Sequence, residues 1–324
     1  MGYIIGIDIG GTKCAVILGN YSEKNEIAIL DKCKFPTEAE KGVLYTLEKI
    51  QYNINSILVK NQMDIKQIDS IGISCGGPLD SKSGIIMSPP NLIGWDEIHI
   101  VELFQDKFKV KTKLQNDANA CALAEWKFGA GKGYSNVVFL TFGTGMGAGL
   151  ILDDKLYIGA NGMAGEVGHV RLDENGPVGY GKSGSFEGFC SGGGIAQLAR
   201  IKVLERLQRG EKVAFCDGIE KLDSLSAKLV GEAAENGDEL AIEIYNICGN
   251  YLGRGLSIII DIVNPDIIVI GSIFSRRKEL LLPSAMKIIN SECLSYCRDA
   301  CKIVAADLGE EIGDFAAIAV SIYD

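Results

Sequence analysis

Asp8, Gly10, Gly11, Thr12 and Lys13 stand within six residues of one another. An apolar run leads in and Cys14-Ala15-Val16-Ile17-Leu18 leads out, which reads as strand, tight turn, strand. Glycines let backbone N–H groups approach an anion closely. Thr12 and Lys13 add donors for phosphate oxygens, and Asp8 could hold a metal ion through water. The stretch does not fit G-x-x-x-x-G-K-[ST], and no helical pattern follows it as a dinucleotide fingerprint requires. A plain hairpin turn is the competing reading. Phe142-Gly143-Thr144-Gly145-Met146-Gly147-Ala148-Gly149 repeats the pattern. With Gly10 laid on Gly143, Ala15 meets Ala148 and Ile17 meets Leu150, which suggests an internal duplication.

Asp117 follows an apolar strand, precedes a helix and sits beside Asn116. A carboxylate there reads equally as a base taking a proton from a hydroxyl that attacks phosphate and as a helix N-cap. Glu166 and His169 lie three apart in Gly165-Glu166-Val167-Gly168-His169, and the chain holds two histidines in all. Glycines on either side would let both side chains reach one ligand; a structural His or a metal ligand is the alternative. Glu187, in Gly184-Ser185-Phe186-Glu187-Gly188, reads on its own as a solvated loop charge.

These residues need elements to hold them. Residues 3–9, 14–18 and roughly 26–33 read as a three-stranded meander. Residues 43–60 carry apolar side chains at helical spacing. Further strands are expected at 70–74, 111–115, 136–141, 150–152, 266–270 and 303–305. Helices are expected at 98–108, from Asn116 to about 128, and at 195–209, 225–236, 238–263 and 313–323. Residues 89–95 form a Pro- and Gly-broken loop in which Asn91 and Trp95 offer contact groups. Alternating strands and helices indicate an α/β fold, parallel apart from the opening meanders.

The chain has 324 residues, 47% of them hydrophobic, enough for two domains or one large one. A net charge of −10 and a pI near 4.9 argue against a nucleic-acid surface. The longest apolar runs, such as 256–263, are too short to span a bilayer. The N-terminus enters a strand without a basic region or cleavage site, so a cytoplasmic protein is expected. Ten cysteines are scattered without a C-x-x-C, most in apolar runs. Cys293, Cys297 and Cys301 would share one helix face, and packed or surface thiols are the reading adopted there over a metal site.

Taken in order, the motifs are Asp8-x-Gly-Gly-Thr-Lys, Gly77-Pro78-x-Asp80, Asn91-Leu92-x-Gly94-Trp95, Asn116-Asp117-Ala118-Asn119-Ala120, Gly143-Thr144-Gly145-x-Gly147, Gly165-Glu166-x-Gly168-His169, Glu187 and Ser191-Gly192-Gly193. This ordered set resembles the ROK family of bacterial sugar kinases and repressors over nearly the whole chain. The resemblance implies an actin-like (ribonuclease-H-like) ATPase fold of two α/β domains with a central cleft. It implies a smaller domain at 1–117, a larger one at 118–311, and a terminal helix at about 312–324 packing back on the first. It implies ATP-dependent phosphorylation of a hexose with Mg²⁺, and a homodimer. Asp117 is then the general base. Gly77, Asn91, Asn116, Glu166, His169 and Glu187 are sugar contacts. Gly10, Gly11, Thr12 and Lys13 form one phosphate loop, Thr144 and Gly145 the other, and Gly193 and Gly271 nucleotide-side turns. Asp8 is the Mg²⁺-side carboxylate. Two glycine hairpins would grip ATP from opposite sides of the cleft, and closure would exclude water.

The chain departs from the family in one loop. Many members hold zinc with Cys-Gly-Cys-Gly-x-x-Gly-Cys-x-Glu and the histidine of Glu-x-Gly-His. Here Val178, Tyr180 and Ser185 occupy the thiolate positions. No zinc is expected, with the loop held by its own packing and hydrogen bonds. Gly76 and Ser272 stand where the family usually has Pro and Gly. Glucose is the first expectation for the sugar, because six polar side chains need hydroxyl partners; N-acetylmannosamine, N-acetylglucosamine, allose and fructose remain open. A repressor of this family would carry a helix-turn-helix ahead of the first hairpin, which begins here at residue 3. A sugar sensor would have no reason to keep Asp117 with both phosphate turns, and an actin-like filament protein would lack the sugar set.

Overall fold

A computed structural model describes residues 2–22 and 27–323. The elements are β1 (Gly2–Ile9), β2 (Lys13–Tyr21), β3 (Ile27–Pro36), α1 (Val43–Lys60), β4 (Ile68–Cys75), a small hairpin β5 (Leu79–Asp80) and β6 (Ile85–Ile86), α2 (Ile100–Phe108), β7 (Lys111–Asn116) and α3 (Asp117–Phe128). There follow β8 (Val137–Leu140), β9 (Ala148–Leu152), β10 (Lys155–Tyr157), β11 (Val178–Gly179), β12 (Lys182–Ser183), α4 (Phe186–Phe189) and α5 (Gly192–Gln208). The chain continues through α6 (Ala227–Glu235), α7 (Glu239–Val263), β13 (Ile267–Ile270), α8 (Ile273–Glu292), α9 (Ser295–Ala300), β14 (Lys302–Ala305) and α10 (Ile312–Ile322). The strand expected at 26–33 is β3, and residues 26 and 324 lie outside the described residues.

Two sheets form, with strand orders β3-β2-β1-β4-β7 and β10-β9-β8-β13-β14. Each order is third, second, first, fourth, fifth. In the first sheet β1 pairs antiparallel with β2 and parallel with β4. In the second β8 and β14 flank β13 in parallel, and β9 and β10 are antiparallel. The same topology in both halves agrees with the overlay of the two glycine turns. Two compact units divide the chain: Met1–Tyr134 with Gly149–Ala164 and Asp307–Asp324, and Ser135–Ala148 with Gly165–Ala306. The first unit thus takes in α3, past the division at residue 117 read from the sequence.

Alternation in β1 decides how the first unit packs. Ile5, Ile7 and Ile9 join one core with Leu47, Ile50, Ile54 and Ile57 of α1 and Phe104 of α2. Ile4 faces the other way, into a cluster with Ile17, Ala317 and Ile318. α10 approaches that face very closely: a Cβ on Gly72 would stand 2.2 Å from the Ala317 carbonyl oxygen. Ser70 Oγ donates to the Ser321 carbonyl across the same contact, at 3.0 Å. Glu125 is fully buried on α3. Its carboxylate accepts backbone N–H bonds from Ala130 (2.8 Å), Asp307 (3.3 Å) and Leu308 (3.0 Å), which ties α3 to the entry of α10.

In the second unit α7 runs from an Asp238 cap, whose Oδ1 accepts the Ala241 N–H, to Asn264 in the left-handed region (φ 48°) just before Pro265. α7 packs against α8 through glycines: Cβ atoms at Gly249 and Gly253 would lie 2.7 and 2.6 Å from the carbonyls of Leu281 and Ala285. α8 was not expected from the sequence. Its Pro283 lacks an N–H, and Arg277 kinks it at φ −130° and ψ 26°. Cys293 and Cys301 cap the ends of α8 and α9, and Cys297 lies within α9, so the three do not share one helix face. Among the described residues no helix is long and apolar enough to cross a membrane.

Candidate active site

The candidate residues fall into two groups, one in each unit. In the first, the turn after β1 is closed by the Gly10 N–H donating to the Lys13 carbonyl at 3.1 Å. Thr37, buried at the end of β3, braces it from behind. Its N–H donates to the Thr12 carbonyl at 3.0 Å and its hydroxyl to the Gly10 carbonyl at 2.5 Å. The side chains of Thr12 and Lys13 are exposed. Gly11 rests on the 89–95 loop: a Cβ there would come within 2.6 Å of the Asn91 carbonyl oxygen. Asn91 is exposed. Trp95, expected as a contact group, is instead fully buried in the core with its indole N–H unpartnered.

β7 delivers Asn116 and Asp117 to the start of α3. Gln115 Oε1 accepts both the Asn116 N–H (2.9 Å) and the Asn119 amide (3.2 Å), a buried brace that sequence reading missed. Asn116 is the N-cap, its Oδ1 accepting the Ala118 N–H at 3.0 Å. Asp117 therefore occupies the first helical position rather than the cap. Its Oδ1 accepts the same N–H at 2.8 Å, and the residue is exposed. A Cβ on Gly77 would lie 3.1 Å from the Asn116 amide, and one on Gly76 would lie 3.9 Å from Asp117 Oδ2. Small residues at 76 and 77 keep this corner open.

Asp8 ends β1 beside the first turn of α10, where a Cβ on Gly313 would lie 3.1 Å from its Oδ2. Burial pushes the Asp8 pKa up to about 7 from 3.8. The Asp314 and Asp117 carboxylates push the same way, and the Lys13 and Lys32 ammonium groups oppose them. Asp314 is itself buried and paired with Lys32. Among the described residues no group of three His, Cys, Asp or Glu side chains converges to cage a metal. Magnesium arriving on nucleotide phosphates needs only one or two carboxylates. The carboxylates of Asp8, Asp117 and Asp314 that act on one another here fit such an ion.

The second group gathers on the turn after β8. The Thr141 N–H donates to the Gly147 carbonyl, and the Gly147 N–H to Thr141 Oγ1, each at 2.9 Å. Thr144 is exposed at the tip. Glu187, on α4, is not a free loop charge: its Oε2 accepts the Met146 N–H at 3.0 Å. A Cβ on Gly145 would stand 2.7 Å from that oxygen. The Gly192 N–H donates to the Gly143 carbonyl at 2.8 Å, and Ser191 Oγ caps α5 by accepting the Gly194 N–H at 3.0 Å. Ser191-Gly192-Gly193 thus opens α5 three residues earlier than the sequence pattern indicated, leaving Gly193 exposed. Gly271 is buried behind this turn. Ser272, next to it, sits at φ 55° and ψ −113°, a conformation that glycine adopts without strain.

Val167–His169 is a short 3₁₀ turn following Gly165 (φ 91°). Gly168 packs so that a Cβ would lie 2.2 Å from the Met146 carbonyl and 3.4 Å from Glu187 Cβ. Glu166, His169 and Glu187 are thereby brought onto the second glycine turn. At the three positions where zinc-bearing relatives would carry thiolates, Val178, Tyr180 and Ser185 offer no thiolate, and this donor set does not fit zinc. Ser185 Oγ instead accepts the Gly188 N–H at 3.1 Å. Arg171 donates to the Ser183 carbonyl at 2.7 Å.

A doubled sheet of third-second-first-fourth-fifth order, each bearing a glycine turn after its first strand, is the actin-like ATPase (ribonuclease-H-like) fold. The family model described as "ROK family" matches residues 4–321, and the chain belongs to the ROK family. It is 31% identical over 323 residues to a glucokinase of Thermotoga maritima, covering 98% of this chain and 96% of that one. It is 30% identical over 292 residues to a xylose repressor of Caldicellulosiruptor bescii, covering 90% of this chain and 70% of the repressor. A ROK family glucokinase from Streptomyces griseus, solved in complex with glucose and AMPPNP, superposes with a TM-score of 0.74 at 28% identity, over 99% of each chain.

Proposed function

We propose that this chain is an ATP-dependent hexose kinase that transfers the γ-phosphate to a sugar hydroxyl, with the 6-OH of glucose as the first expectation. The observation that carries the reading is Asp117. Asn116 supplies the N-cap of α3, and Asp117 follows it as an exposed carboxylate at the first helical position, in the same unit as the Gly10–Lys13 turn and Asp8. The kinship to glucokinases supports a sugar kinase at the level of class.

In this reading Asp117 accepts the proton of the sugar hydroxyl as its oxygen attacks the γ-phosphorus. The bond from that phosphorus to the bridging oxygen of ADP breaks, and ADP leaves. Backbone N–H groups of Gly11 and Thr12 in the first turn and of Thr144 and Gly145 in the second, with the side chains of Thr12, Lys13 and Thr144, bind phosphate oxygens. Gly193 and Gly271 shape the nucleotide side. Asn91, Asn116, Glu166, His169 and Glu187 bind sugar hydroxyls, with Gly77 leaving room for the ring. Magnesium held by Asp8 through water would spread the charge of the phosphates. Positioning and electrostatics supply most of the acceleration.

A coupled ADP-release assay across a hexose panel, run with and without Mg²⁺, tests this. ADP release that requires both a hexose and Mg²⁺ is expected, fastest with glucose; no turnover with any sugar overturns it. The kinship to a xylose repressor favours one second reading, a sugar-responsive regulator. Salt-dependent binding of duplex DNA without sugar turnover would select it.

Glu187→Gln retains an oxygen able to accept the Met146 N–H, so the turn should persist. The charged contact to sugar is lost, and KM for the sugar is expected to rise about tenfold or more. A change confined to KM for ATP would instead assign Glu187 to the turn alone.

A further inference from the structure

Tyr180 stands out in the loop between His169 and Glu187. It and Gly181 form the two-residue turn between β11 and β12, with φ values of 43° and 76°. Such a primed turn favours Asn-Gly, and a bulky side chain at its first position is strained. Burial does not offset the strain, because Tyr180 is 71% exposed. What the ring does touch is His169: the two rings meet edge to face, with centroids 5.2 Å apart and planes at 89°. From the other side of the same turn, Lys182 Nζ donates to the His169 carbonyl at 2.6 Å.

The hairpin has a firm base for this contact. Val178 exchanges two hydrogen bonds with the Gln197 side chain on α5, both 2.9 Å. Gly179 lies against the start of α4, where a Cβ would meet the Gly188 nitrogen at 2.6 Å. Ser183 Oγ donates to the Gly176 carbonyl at 3.0 Å. The base is thus fixed to α4 and α5, the elements that carry Glu187 and open at Ser191, while the tip engages both the ring and the backbone of His169.

We propose that residues 178–183 are a metal-free clamp that orients the His169 imidazole, with Tyr180 as the positioning residue. An edge-to-face contact restricts ring rotation, and the Lys182 bond fixes the backbone that carries the ring. The clamp uses one aromatic ring and one ammonium group, so it needs neither a thiolate nor a metal ion. Its part in catalysis rests on the reading of His169 as a sugar contact; its existence does not.

The test uses the fact that the chain has two histidines, His99 and His169, so an imidazole NMR spectrum of the full chain holds two sets of signals. In Tyr180→Ala the His169 signals should shift as the tyrosine ring current is lost, and those of His99 should stay. Tyr180→Phe should keep the wild-type pattern. If the protein phosphorylates a hexose, Tyr180→Ala should raise KM for the sugar about fivefold or more, with KM for ATP unchanged and Phe restoring the wild-type value. His169 signals that do not move in Tyr180→Ala overturn the clamp, as does stoichiometric zinc in the purified protein by elemental analysis. Absence of sugar turnover overturns the kinase reading alone, because the spectrum judges the clamp without it.

Discussion

Asp117→Asn is expected to lower kcat by at least about 100-fold, the range for loss of a general base, with little change in KM for ATP or in thermal stability. The geometry separates these effects. Asn116 caps α3 and Gln115 holds the Asn116 backbone, so the helix start does not rely on the Asp117 charge. The bond from the Ala118 N–H to Oδ1 survives, because an amide oxygen accepts it as well as a carboxylate does. What the amide cannot do is take up a proton. Steady-state rates beside a melting curve make the comparison. Turnover within a few-fold of wild type removes Asp117 from the role of base, and a collapsed melting temperature would show that its charge holds the fold.

The second large effect concerns pH and Asp8. Its carboxyl group has a pKa of about 7 in the folded chain against 3.8 ordinarily. Between these values the unfolded chain ionises Asp8 more readily than the folded one does. The contribution to stability is complete below pH 3.8, falls as pH rises, and is fully lost above about 7. At about 1.4 kcal/mol per pH unit, the loss from this group is at most roughly 4 kcal/mol. Urea unfolding of the nucleotide-free protein at pH 5 and pH 8 should therefore show wild type losing stability relative to Asp8→Asn by a few kcal/mol. Parallel pH dependences would refute the enclosed, charge-crowded site. The same crowding would make Asp8 a good partner for a cation that arrives with phosphate: what destabilises the empty site favours the filled one.

Much of this arrangement was legible in residue order. The glycine turns, β7 running into Asn116-Asp117, and α1 each follow from local pattern, because each depends on neighbours within a few positions. The features missed depend on contacts that sequence does not display. Glu187 reads as a loop charge until it is seen to accept an N–H from Met146, 41 positions away. Nothing in the sequence around Thr37 marks it until β3 carries it behind the Gly10–Lys13 turn. Trp95 looked like a contact residue because its neighbours are loop formers, yet the loop folds inward over the core. α8 was hidden by Pro283 and the charged run Arg276-Arg277-Lys278-Glu279, ahead of the residues, Leu281 and Ala285, that approach the glycines of α7. The start of α5 was hidden by Gly192-Gly193-Gly194, a composition that argues locally against a helix and is held in one by the Ser191 cap.

The contact of Gly11 with Asn91 has a thermodynamic consequence. A turn assigned to nucleotide and a loop assigned to sugar share a surface with no room for even a methyl group. A movement of either that tightens this contact would have to displace the other, so under the proposed function occupancy at one would alter the free energy of occupancy at the other. Linkage makes that influence mutual: whatever factor the nucleotide applies to sugar affinity, the sugar applies to nucleotide affinity. Gly11 is then more than a permissive residue in a phosphate turn. Under the proposed function, it is the contact through which ATP and sugar would act on each other's binding.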